Sequence, residues 1–211
     1  MPIELKKNMT ILFQGDSITD CGRMDSFLDS MGSGYAYFVS STLNARYPEL
    51  NLTFINRGIS GNCVDDLSGR WQRDCLDLKP HVVSILVGVN DTWRYCTYDS
   101  FASSDLFEKE YRKILTKTRR ACNPILILCE PFLLDISDEI EGYRHELAKR
   151  IDIVKKLVDD FDAMYVPFDT LFTEASKNVD PSYWAPDGVH PTPAGHAFMA
   201  EKWLSYVVGE R

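Results

Sequence analysis

Residues 10–23 read Thr10-Ile11-Leu12-Phe13-Gln14-Gly15-Asp16-Ser17-Ile18-Thr19-Asp20-Cys21-Gly22-Arg23, a short apolar, β-rich run that ends on a Gly-Asp-Ser turn. Runs like the opening Thr10 to Phe13 recur at Leu52 to Ile55, Val82 to Val87, Ile125 to Leu128 and Met164 to Val166. Longer amphipathic stretches separate them, over Tyr35 to Arg46, Val64 to Leu76, Asp105 to Arg120 and Glu139 to Phe161, and a last one covers Pro193 to Val208. Strand-length apolar runs alternating with helical stretches are the pattern of repeated βα units, so an α/β fold with a parallel sheet is expected.

The stretch from Glu139 is the clearest helix, since Ile140, Tyr143, Leu147, Ile151, Val154, Val158 and Phe161 recur at intervals of three and four. Thr192 followed by Pro193 suits an N-cap and first helical position, which starts the last helix after His190 and leaves that histidine on a loop. Asp25 to Gly34 reads as a surface loop beside the end of the first strand, too short to divide domains. With no repeat, low-complexity tract or linker, one domain over residues 1–211 is expected.

A chain of 211 residues can bury a full hydrophobic core, and 45% hydrophobic with 26% charged residues is the composition of an ordinary folded protein. A formal charge of -8 argues against a nucleic-acid partner, because phosphate binding is carried by Lys and Arg. A neutral or modestly charged substrate suits it better. Met1 to Thr10 carries two lysines but no apolar run long enough for a secretory signal, and no later segment approaches a membrane span. Cytoplasmic residence without a membrane partner is therefore the default. Cys21, Cys63, Cys75, Cys96, Cys122 and Cys129 are scattered, with no Cys/His cluster of zinc-site spacing, and read as reduced thiols; no metal is expected.

Ligands of open parallel sheets bind at the carboxyl ends of the strands, which directs attention to the loops there. The first places Ser17 where a strand ends and a turn begins. A serine hydroxyl is a weak nucleophile unless a base and an orienting acid stand elsewhere, so in isolation Gly-Asp-Ser reads as a turn or helix cap. The second loop, Asn56-Arg57-Gly58-Ile59-Ser60-Gly61-Asn62, has two glycines that allow tight turning and leave backbone N–H groups accessible. The third, Val87-Gly88-Val89-Asn90-Asp91-Thr92-Trp93, sets a side-chain amide just after a strand, where Asn and Asp also serve as turn formers and caps. Near the C-terminus, prolines flank Asp187-Gly188-Val189-His190 and exclude a regular helix through it. An Asp three residues before a His can accept its Nδ1 proton and leave Nε2 as a base towards a hydroxyl.

Together, Gly-Asp-Ser-Ile, Gly-Ile-Ser-Gly-Asn, Gly-Val-Asn-Asp and Asp-Gly-Val-His resemble the SGNH subgroup of the GDSL esterase family, in the family's order and over essentially the whole chain. Ile18 stands where the family name has leucine. The resemblance implies a three-layer α/β/α, flavodoxin-like fold with a central, mostly parallel five-stranded sheet. It also implies Ser17 as nucleophile, His190 as base and then acid, and Asp187 as the group holding the imidazole. The implied oxyanion hole comprises the N–H of Ser17, the N–H of Gly61 and the side-chain amide of Asn90. No cofactor is needed for that chemistry. The α/β-hydrolases share the order Ser, acid, His, but Thr19 stands where their Gly-x-Ser-x-Gly elbow has its second glycine, and their acid usually comes from a separate loop.

The blocks Gly-Asp-Ser-Ile-Thr-Asp-Cys-Gly-Arg, Asn-Arg-Gly-Ile-Ser-Gly-Asn and Gly-Val-Asn-Asp-Thr-Trp-Arg resemble a branch that includes intracellular acetylxylan esterases. An acetyl ester of a carbohydrate is the substrate this implies, with Asp16, Trp93 and Trp184 as candidate substrate contacts. Trp93, Arg94 and Tyr95 follow Asn90 and could narrow the acyl site, or be core or subunit contacts; a homo-oligomer is left open. A lysophospholipase or thioesterase is the rival on the same scaffold and would want an extended apolar channel. A binding module without catalysis leaves serine, base, acid and asparagine together unexplained. His81, His145 and His196 read as structural, and the aromatics of Phe101 to Phe107 and of the last helix as core or contact residues. Cys21, Cys63 and Cys96 each lie a few residues beyond a site loop, so an accessible one would let a modifier obstruct the crevice.

Overall fold

The computed structural model describes residues 2–25, 30–98 and 103–209, with the backbone alone at 25 and 138–141. Five strands, β1 (Thr10–Gly15), β2 (Thr53–Asn56), β3 (Val82–Leu86), β4 (Ile125–Cys129) and β5 (Met164–Val166), form one sheet in the order β2-β1-β3-β4-β5. Every pairing is parallel. This is the doubly wound order whose switch point lies between β1 and β3, where the connections leave to opposite faces and open a crevice. Gly15 pairs with Leu86, and Leu86 with Cys129, so β1, β3 and β4 end level.

Successive side chains along a strand point to opposite faces, and the strands sort their apolar residues accordingly. Ile11, Phe13, Val82, Leu86, Ile127 and Cys129 join one buried cluster, while Leu12, Val83, Ile85, Leu126 and Leu128 join a second. The first cluster is completed by α2 (Tyr35–Arg46) and α9 (Pro193–Val207), the second by α3 (Val64–Asp74) and α5 (Ser104–Ala121), with α6 (Asp138–Asp160) contributing to both. The result is the expected three-layer α/β/α sandwich. Two buried indoles are satisfied across it: Trp203 Nε1 donates to Ser84 Oγ at 3.0 Å, and Trp71 Nε1 to Thr118 Oγ1 at 2.8 Å.

Element boundaries differ most where short turns meet strand ends. β1 runs two residues past Phe13, so Ser17 opens a one-turn helix, α1 (Ser17–Asp20). The segment after β3, read as a loop from its Asn and Asp, is the start of α4 (Val89–Tyr98), entered through Gly88 at φ +137°. Residues favoured in turns are equally favoured at helix starts, and only the partner surface decides between them. The short helices α7 (Phe168–Ala175) and α8 (Pro181–Trp184) also lie outside the expected elements. Residues 26–29 of the expected surface loop, and Phe101, lie outside the described residues, and so does the side chain of Ile140. Phe107 and Trp203 are core residues. No helix among the described residues is long and apolar enough to cross a membrane.

Candidate active site

The chain leaves β1 at Gly15 and turns at once into α1. Asp16 caps that turn, its Oδ1 accepting the Ile18 N–H at 3.0 Å, and Ser17 follows as the first helical residue. The hydroxyl of Ser17 lies 2.9 Å from His190 Nε2, across 173 residues of sequence. His190 Nδ1 lies 2.6 Å from Asp187 Oδ2. The other oxygen, Oδ1, accepts the backbone N–H groups of Val189 at 2.9 Å and His190 at 2.7 Å. An aspartate that receives two main-chain donors of its own loop holds that loop closed around the histidine. The loop is also tied to the body, through Leu134 N donating to Gly188 O at 2.8 Å and Thr192 N to Trp184 O at 2.8 Å.

Burial opposes ionisation of Asp187, but the His190 N–H, the imidazole and the Val189 N–H outweigh it and hold the carboxyl below its ordinary value. An ionised Asp187 selects the tautomer with the proton on Nδ1, which leaves Nε2 as an acceptor for the Ser17 hydroxyl. The arrangement can move a proton from hydroxyl to imidazole and hold the resulting cation against a carboxylate.

Ser17 and His190 line an open crevice of about 650 Å³, together with Gly61 and Asn90. Gly61 takes φ +78°, which side chains rarely adopt, on a loop that Gly58 presses against α1; a Cβ on Gly58 would meet Asp20 N at 2.3 Å. Asn90 sits in the first turn of α4, and its Nδ2 donates to Asn62 O at 3.1 Å. A second lobe of about 310 Å³ shares Asn90 and His190 and is walled by Val89, Trp93, Asp187 and Val189. Asn90 and His190 thus stand between a larger lobe and a smaller, more apolar one.

Of the expected substrate contacts, Trp93 is 39% exposed and faces the apolar lobe. Asp16 is corrected: it is 1% exposed, capping α1 from inside, and burial pushes its carboxyl up to about 7. Trp184 is also corrected, since its ring packs with Phe172, Tyr183 and Phe198 and is absent from the crevice lining. Its backbone carbonyl, rather than its ring, serves the site by holding Thr192. Tyr95 turns away too, with the Arg150 guanidinium 5.7 Å from its ring centre. Arg94, by contrast, donates to Gly61 O at 3.0 Å and steadies that loop.

Sequence reasoning missed one pair. His196 Nδ1 accepts the Tyr35 N–H at 3.2 Å, a structural duty, while its Nε2 lies 3.3 Å from Cys21 Sγ, and both residues line the crevice. They are 175 residues apart, and no local signal joins them. Of the three cysteines singled out, Cys21 alone lines the crevice among the described residues; Cys63 is buried and Cys96 lies on α4 outside the lining. Cys63, Asp65 and Asp66 bring ligand atoms within 4.8 Å of one another. The Cys63 and Asp66 groups are spent on a reciprocal cap of α3, at the helix end whose dipole disfavours a cation.

The doubly wound sheet carries the hydrogen-bonded Ser17, His190 and Asp187 at its switch point, an arrangement of the α/β hydrolytic class. The profile of the GDSL-like lipase/acylhydrolase family matches residues 13–198, and the chain belongs to that family. It is a carboxylic ester hydrolase. It is 35% identical over 201 residues to an acetylxylan esterase of Geobacillus stearothermophilus, covering 92% of this chain and 91% of the relative. A solved GDSL-like lipase from Parabacteroides merdae superposes with a TM-score of 0.90 at 38% identity, covering 98% of each chain. A solved acetylxylan esterase from Geobacillus stearothermophilus superposes at 0.89 and 32% identity, covering 99% of this chain and 98% of that one. That enzyme has also been solved as catalytic mutants with a serine, an aspartate or a histidine changed to alanine.

Proposed function

We propose that this esterase removes short acyl groups, acetyl above all, from O-acylated carbohydrates such as xylo-oligosaccharides, with Ser17, His190 and Asp187 as its triad. The observation that carries the reading is the unbroken hydrogen-bond relay from Ser17 Oγ to His190 Nε2 and from His190 Nδ1 to Asp187, at 2.9 and 2.6 Å, open to the crevice. The catalytic serine, aspartate and histidine of the Geobacillus enzyme support it.

In this reading Ser17 Oγ attacks the ester carbonyl as His190 Nε2 takes its proton, and Asp187 stabilises the imidazolium. The oxyanion of the tetrahedral intermediate is held by the Ser17 N–H, the Gly61 N–H and the free hydrogen of the Asn90 amide. Collapse expels the sugar alcohol, which takes its proton from His190, and leaves acetyl-Ser17. Water then repeats the sequence with His190 as base, releasing acetate. The smaller, more apolar lobe beside Trp93 suits the acyl group; the larger lobe, with Ser33, Ser60 and His196 in its lining, suits a sugar.

Ser17 labelled by a fluorophosphonate, with release of acetate from acetylated xylo-oligosaccharides, is the expected result. An unlabelled serine would remove the triad, and indifference to acetylated sugars would remove the substrate.

A further inference from the structure

We propose that Arg70 is a positioning residue for the oxyanion hole, acting through Asn62 on the amide of Asn90; this rests on the oxyanion role proposed for Ser17, Gly61 and Asn90. Arg70 lies on α3, its side chain only 10% exposed, and touches no part of the crevice lining. Its guanidinium nevertheless reaches the two loops that carry Ser17 and Gly61 directly, and Asn90 only through Asn62.

Nε donates to Asn62 Oδ1 at 2.9 Å, Nη1 to Arg57 O at 2.7 Å and Gln14 Oε1 at 3.1 Å, and Nη2 to Gly15 O at 3.3 Å. Asp74 Oδ2, 3.2 Å away, receives the charge. Gly15 ends the strand that delivers Ser17, and Arg57 and Asn62 bracket the turn that carries Gly61. Asn62 O is in turn the acceptor that engages one hydrogen of Asn90 Nδ2 at 3.1 Å. The fork therefore meets the third donor through a two-bond relay, Arg70 to Asn62 to Asn90.

The planar guanidinium has five N–H groups in a fixed arrangement, so it sets the distances between the backbones it joins; a lysine ammonium is a point donor on a flexible stem and cannot. Burial lowers the proton affinity of Arg70, and Asp74, which Arg73 also engages, offsets this only in part. The fork is a rigid brace. The angle of an amide towards a developing oxyanion matters more in the transition state than in the bound ester, so a brace of this kind acts on kcat.

The test is a double-mutant cycle on 4-nitrophenyl acetate with Arg70→Lys, Asn90→Ala and the double variant, with thermal unfolding of each. Arg70→Lys is expected to lower kcat at least about tenfold with KM within about twofold. In the Asn90→Ala background the same change should lower kcat less than about threefold, since the amide it orients is gone. Wild-type kcat in Arg70→Lys, or a loss that multiplies in full on Asn90→Ala, overturns the proposal, because a merely structural residue acts independently of Asn90. Should Arg70→Lys fail to fold, Asn62→Ala removes the relay at a half-buried position and is read by the same cycle. Ser17→Ala run alongside separates the two readings. Turnover surviving in it removes the active-site assignment itself; an inactive Ser17→Ala with additive Arg70 and Asn90 losses removes the role of Arg70 alone.

Discussion

The backbone carbonyl of Asn62 accepts one of the two amide hydrogens of Asn90, at 3.1 Å, and that single bond settles which way the amide faces. With one hydrogen engaged, the other meets no acceptor among the described residues and is left for a ligand beside Ser17 and His190. Asn90→Ala is therefore expected to lower kcat roughly a hundredfold to a thousandfold with little change in KM, the usual loss for one oxyanion donor. Steady-state kinetics on an acetyl ester read it, and an unchanged kcat would make Asn90 a helix-start residue only.

Ser17→Ala should abolish turnover and His190→Ala nearly so, and the double variant should be no worse than Ser17→Ala, because nucleophile and base act as one unit. Initial rates on 4-nitrophenyl acetate decide it, with circular dichroism showing that each variant is folded. Near-normal rates in either single variant would end the triad assignment.

Cys21 lines the crevice while Cys63 is buried, and burial pushes the Cys63 thiol well up, which makes it a poor target. A bulky maleimide should inhibit the wild type and spare Cys21→Ser, whereas Cys96→Ser should remain as sensitive as the wild type. Equal inhibition of wild type and Cys21→Ser would place the obstruction elsewhere.

His196 is 5% exposed, and burial, followed by the nearby His190, brings its pKa down from 6.5 to about 4. Between those values the unfolded chain binds a proton that the folded one does not. Its contribution is thus present in full above pH 6.5 and lost as pH falls towards 4, by about 3 kcal/mol at most. In urea titrations at pH 7.5 and 4.5, His196→Asn should show a smaller drop than the wild type, since an amide can still accept from Tyr35 N without titrating. Identical drops would mean His196 is not held neutral.

Acetyl esters, and O-acetylated xylo-oligosaccharides above all, should have higher kcat/KM than esters of eight or more carbons. Each further methylene gains about 0.8 kcal/mol only where apolar space receives it, and the lobe walled by Val89, Trp93 and Val189 is the smaller of the two, at about 310 Å³. Trp93→Ala should relax the limit, whereas Trp184→Ala, whose ring packs outside the crevice, should not. A kcat/KM that climbs steadily with acyl length would move the assignment to lipid or thioester substrates.

Much was legible in the order of residues alone. Apolar runs alternating with amphipathic ones specify βα units, and in a parallel sheet the loops at the strand ends must form the crevice, so Ser17, Gly61 and Asn90 could be placed on one edge. Asp187 and His190 could be paired because a spacing of three on a proline-flanked loop is a local relationship. Other relationships depended on which surfaces meet. Asp16 follows the strand as Ser17 does, yet it points inward to cap α1, and the Trp184 ring finds Phe172 and Phe198 instead of the crevice. Arg70 looks in the sequence like any charged residue of an amphipathic helix, and Cys21 and His196 like unrelated ones. Local chemistry repeats along a chain and can be read from it; the contacts of Arg70 with Gly15 and Asn62, and of Cys21 with His196, exist only because packing the helices on the sheet brings distant segments within hydrogen-bond reach.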